Sequence, residues 1–156
     1  MKRILYALIF SLCLAAAFFA SDKRVSAALG ETEESIAADR EALLSLRNSA
    51  TAHNGYTIHE IDSGSTVVRQ YVSPSGIVFG VAWKGLLHPD LTQLLGPYSD
   101  EYQEALQQTP RRPGHRRMQV KTDRIVVEKW GHMRNLQGRA YAPALVPFGV
   151  NADEIN

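Results

Sequence analysis

Five histidines, His53, His59, His88, His115 and His132, are the first residues to test for chemistry. Imidazoles hold a metal when two share one face of an element, two or four residues apart, or when the fold gathers distant ones. None of the five shows such a spacing, and on a strand the neighbours His59 and Glu60 point to opposite sides. A metal site would need tertiary convergence, for instance of His59, His132 and Asp90. Ordinary surface or partly buried histidines are the plainer expectation, and no metal or other cofactor is expected. Serine, histidine and aspartate are all present, but Gly-x-Ser-x-Gly, which lifts a nucleophile out on a sharp turn, is absent. Glu60 and Asp62 share a strand face and could act as paired carboxylates, yet their place beside Ser63-Gly64-Ser65 reads as a solvated rim. No glycine-rich phosphate loop occurs. The leading reading is therefore non-catalytic. The alternative is a small hydrolase-like enzyme whose site is assembled by tertiary convergence.

The one local charge feature is "RRPGHRRMQVK", with Arg111, Arg112, Arg116, Arg117 and Lys121. It reads either as a solvated loop between two elements or as a contact for a polyanion of the cell envelope, such as lipid phosphate. No aromatic residue interleaves the arginines, so a nucleic-acid partner is not expected.

The ends set the compartment. Lys2 and Arg3 precede an uncharged apolar run, Ile4 to Ala20, and Val25-Ser26-Ala27 has the small-residue pattern of a cleavage site. The expectation is a signal peptide over residues 1–27 and a single domain over 28–156, in the periplasm or secreted. Membrane attachment would come only through an uncleaved signal sequence. Cys13 is the only cysteine and would leave with that segment, which excludes disulfides and thiolate chemistry from the mature chain. The remaining 129 residues carry 13 basic and 15 acidic side chains, so no global charge favours nucleic acid or an anionic membrane.

"ETEESIAADREALLSLRN" has helical spacing, and Asn48 to Gly55 is polar and ends in a turn signal. Strands are predicted over Tyr56–Asp62, Thr66–Val72 and Ile77–Trp83, joined by tight turns. The periodicity of "PDLTQLLGPYSDEYQEALQQ" predicts a helix, kinked or split at Gly96-Pro97. Gln119–Trp130 and Gly138–Val146 read as two further strands, and Asn151 and Glu154 have capping-box spacing in a last helical turn. The expected fold is α+β, with about five mostly antiparallel strands in the order helix, three strands, helix, two strands, and helices packed on the sheet.

The turn Ser73-Pro74-Ser75-Gly76 sets a register. A three-residue loop puts Ser73 opposite Ile77, hence Tyr71 opposite Phe79, Arg69 opposite Val81 and Val67 opposite Trp83. One face is then bulky and aromatic, and the other small enough to take a helix. The bulky face is too apolar to lie bare; it is covered by a terminal segment or marks a contact surface for a partner. Its candidate binding residues are Arg69, Tyr71, Phe79 and Trp83, because arginine and aromatic side chains carry much of the energy of interfaces.

The blocks "ALG…SIAADR", "YTIHEID", "VVRQYVSPSGIVFGVAWKG", "PDLTQLLGPY" and "GHMRNLQGRAYAPALVPFGV" occur here in one order. Together they resemble the small exported bacterial proteins of domain-of-unknown-function family 2844. The resemblance implies an exported single-domain protein with no established activity, and it carries over no catalytic residue. The expected role is an accessory or binding domain for an envelope or protein partner.

Overall fold

A computed structural model describes residues 29–32, 47–110 and 116–156. The apolar run, the cleavage site and most of the predicted first helix lie outside these residues, as do Arg111 and Arg112. Among the described residues seven strands form one antiparallel sheet: β1 (Arg47–His53), β2 (Tyr56–Asp62), β3 (Thr66–Val72), β4 (Val78–Gly85), β5 (Met118–Lys121), β6 (Val126–His132) and β7 (Asn135–Tyr141). Their spatial order is β1-β2-β3-β4-β7-β6-β5. Two hairpin runs therefore meet where β4 pairs with β7. Between β4 and β5 lie two helices, α1 (Leu91–Leu95) and α2 (Ser99–Gln108), joined by the 3-10 turn Gly96–Tyr98. This is a mostly β architecture. It corrects the expected five-stranded α+β plan with helices packed on the sheet.

Two elements account for the difference. β1 has exposed residues from Ser49 to His53 and, among the described residues, pairs only with β2, so it lacks the apolar alternation that marks a half-buried strand. The predicted strand Gln119–Trp130 is two strands around a tight turn. Thr122 donates its backbone N–H to Ile125 O at 2.9 Å, while its hydroxyl accepts from the Arg124 and Ile125 amides at 3.3 and 3.1 Å. Such a hydroxyl bond to the backbone builds a turn without glycine or proline, the usual punctuation.

The sheet has two covered faces. On the helix face, Leu94, Leu95 and Tyr102 pack against Val68, Val81, Trp83, Val127 and Ala140, with Leu29 buried alongside. Asp90 caps α1 by accepting from the Thr92 amide at 2.8 Å, and Gly96 ends it with φ 48° ahead of Pro97. Each fully buried aliphatic side chain here contributes roughly 1.5–3 kcal/mol. On the opposite, tail face, Tyr56, Tyr71, Phe79 and Ala82 lie under Ile155.

The expected loop between β3 and β4 forms: Ser73 N–H donates to Ile77 O at 2.9 Å and Gly76 N–H to Ser73 O at 2.9 Å, with Gly76 at φ 77°. The register does not run on from it. Val72 pairs with Val78, but Tyr71 pairs with Gly80, so Phe79 is an extra residue in a β-bulge. Beyond it Arg69 lies opposite Ala82, Val68 opposite Trp83 and Val67 opposite Lys84. A shift of one residue moves every later side chain to the other face. Trp83 accordingly lies on the helix face, away from Arg69.

Candidate binding surface

The tail face is built around a strap formed by the segment Asn151–Asn156. A 3-10 turn, Ala152–Glu154, opens it, with Asn151 and Glu154 in a reciprocal capping box. Ile155 is fully buried, with its side chain over Gly80; a Cβ added there would lie 2.8 Å from Ile155 Cδ1. Tyr71 and Phe79 are buried beneath the strap, with ring centroids 6.2 Å apart.

Sheet side chains hold the strap largely by its backbone. Tyr71 donates its hydroxyl to Asn156 O at 2.9 Å and accepts from the Asn156 amide at 3.0 Å. Arg69 donates Nη1 to the same main-chain oxygen at 3.1 Å and Nε to Glu60 Oε2 at 2.8 Å. Arg139 on β7 donates to Ala152 O at 3.0 Å and Ile155 O at 3.4 Å. Its Nε reaches the buried Glu128 at 2.6 Å, which also accepts from Arg117 and Gln119 at 3.0 and 2.9 Å. Burial alone would raise the Glu128 carboxyl, but the hydrogen bonds from Arg139 and Arg117 outweigh it and hold the group below its ordinary value. Burial raises the Tyr71 hydroxyl, against the lowering effects of its Asn156 bond and of Arg69. The Asn151 amide, then the Tyr56 hydroxyl at 3.0 Å, lower the Glu154 carboxyl.

Past Asn156 the tail face opens into a groove of about 200 Å³. Its floor is the β4–β7 pair at Ala82 and Gly138, and its walls include Arg69, Lys84, Trp130 and Gln137. Lys84 is exposed and makes no ion pair among the described residues. Trp130 donates its indole N–H to Gln137 Oε1 at 3.2 Å, and Gln137 in turn donates to Asn135 at 2.8 Å, so the aromatic wall is fixed. Of the four residues expected to form a contact surface, Arg69, Tyr71 and Phe79 share this face. Tyr71 and Phe79 lie under the strap and Arg69 borders the groove. The Trp83 indole is buried on the other face, where it donates to His88 Nδ1 at 2.9 Å. Lys84, Trp130 and Gln137 were not among the sequence candidates. They meet only because β7 returns beside β4.

A family model described as a protein of unknown function (DUF2844) matches residues 25–155. The chain belongs to this family. No curated protein and no solved structure matches it.

In this DUF2844 chain the other candidate chemistries separate in space. His59 is buried opposite Gln70, His132 sits at the β6 end of the β6–β7 hairpin, and Asp90 is the cap of α1. Among the described residues no three His, Cys, Asp or Glu side chains gather as a metal site. Glu60 is paired with Arg69, and Asp62 accepts from the Gly64 amide at 2.7 Å at the turn. Of the basic loop, Arg117 turns onto Glu128 and over the Trp130 ring, 5.9 Å from its centroid, whereas Arg116 is exposed.

Proposed function

We propose that this protein is an exported, non-catalytic binding domain of the bacterial envelope, which holds an extended segment of a partner protein in the groove past Asn156. One observation carries the reading. Arg69, Tyr71 and Arg139 already bind a peptide segment on this face through its main-chain oxygens, contacts that do not depend on that segment's side chains. The groove continues the same surface with Lys84 as a further donor, Gln137 as a polar group and Trp130 as an apolar wall. A rigid sheet with fixed aromatic and cationic groups binds at low cost in conformational entropy. The signal-like N-terminus supports an encounter outside the cytoplasm.

The test is photocrosslinking in intact envelopes, with a benzophenone side chain at position 84 in the groove or at exposed position 104 on α2. The reading expects a discrete polypeptide adduct from position 84 that is lost with Arg69→Ala, none from position 104, and a mature N-terminus at Ala28. Equal adducts from both positions, or none from position 84, refute the groove.

A further inference from the structure

A second surface lies at the far end of β5 and β6, where two shallow depressions of about 290 and 600 Å³ share Arg116 and Gly131. Arg116 and Lys129 bring fixed positive charge to their linings, and His88 and His132 bring imidazoles. Met118, Trp130, Leu136 and Met133 are the apolar contribution, and Met133 at the hairpin tip is 90% exposed. Among the described residues no aspartate or glutamate lines either depression. The neighbouring carboxylate on β6, Glu128, is held by Arg117 and Arg139. Arg116 and Lys129 form no ion pair among the described residues; the Lys129 ammonium sits 5.5 Å from the centroid of the Tyr102 ring. The positive field is felt locally, since burial and then the charge of Lys129 lower the pKa of His88.

Uncompensated cations around an exposed apolar tip have a specific complement. We infer that this surface docks on anionic phospholipid, with Arg116 and Lys129 on headgroup phosphates and Met133 at the boundary of the acyl chains. A free phosphate would satisfy the cations and leave Met133 in water, whereas a bilayer interface takes both. The net charge of the whole chain is only +1, so the attraction is a property of this patch and not of the molecule at large. Among the described residues Trp130 alone is shared between these linings and that of the groove, so either surface can fail independently of the other.

The experiment is sedimentation of the protein, as recovered from its host envelope, with vesicles of phosphatidylcholine alone or mixed with phosphatidylglycerol. Binding is expected only with phosphatidylglycerol and is lost at high salt. Arg116→Glu and Met133→Asp should each weaken it by roughly tenfold or more. Lys84→Glu, the same charge reversal in the groove, should leave it in place, and inorganic phosphate should not displace the vesicles. Any contribution from residues before Leu29 is common to every arm. Equal binding to phosphatidylcholine, unchanged binding by both patch variants, or displacement by inorganic phosphate overturns the proposal.

Discussion

Replacing Arg139 by methionine tests how the strap is held. The side chain is 15% exposed and serves two clients, the Glu128 carboxylate at 2.6 Å and the carbonyls of Ala152 and Ile155. Removing one partner of a buried ion pair costs about 3–5 kcal/mol, because the other charge stays buried. Glu128 keeps Arg117 and Gln119, which places the loss at the low end, near 3 kcal/mol. The freed carbonyls add about 1 kcal/mol, with Ile155 O at 3.4 Å counting least. The Asp153 contact at 3.6 Å adds little, since that carboxylate is 81% exposed. Urea unfolding at neutral pH should therefore show a loss of roughly 3–4 kcal/mol for Arg139→Met. The double variant with Glu128→Gln should recover about 2 kcal/mol of it, because the buried charge is gone. Amide exchange at Ile155 and Asn156 should accelerate with the first substitution. A loss below about 1 kcal/mol, or additivity in the double variant, would refute the argument that one arginine joins the buried carboxylate to the strap.

Acid should weaken the fold through the same group. The folded Glu128 carboxyl is held below its ordinary value of 4.5, so folding disfavours its protonation. Its contribution is complete above the unfolded value and is lost as pH falls through the folded one. The Glu128 contribution should be level from neutral pH to about 5 and fall below about 4.5, so the loss of stability below that pH should be shallower in Glu128→Gln; an equal fall in both would remove Glu128 from the account. Trp83→Ala should cost about 3–5 kcal/mol in thermal or urea unfolding, since the indole is 3% exposed in the helix-face core. A near-native midpoint would show that this tryptophan is not buried.

What the sequence disclosed was local. Tyr56–Asp62 and Thr66–Val72 form the predicted strands, Ser73-Pro74-Ser75-Gly76 makes its loop, Gly96-Pro97 divides the helices, and Asn151 and Glu154 form their capping box. What it withheld was distant or polar. β1 is an edge strand of small polar residues, and the Thr122 turn rests on one hydroxyl. The contacts that make the tail face join Arg69 and Tyr71 to Asn156, and Arg139 to Ala152; no spacing along the chain announces them. The register beyond Tyr71 failed for a related reason. A turn fixes the pairing next to it, but a bulge resets everything after. Gly80 was the available signal, since a glycine inside a strand often marks a bulge or a close approach.

That bulge also explains why a groove exists. With an unbroken register Trp83 would stand opposite Val67 on the tail face, beside Arg69, and its indole would fill the space past Asn156. The extra residue at Phe79 sends Trp83 to the other side and leaves Ala82, the smallest side chain available with a Cβ, on the groove floor. Two glycines make both halves of the exchange fit. A Cβ at Gly80 would run into Ile155 on the tail face, and one at Gly138 would lie 2.2 Å from Trp83 Cζ2 on the helix face. The strap needs Phe79 and Gly80 together on one side to bury Ile155, and the groove needs Trp83 on the other. A single inserted residue in β4 meets both requirements, so the strap and the open groove are consequences of the same irregularity.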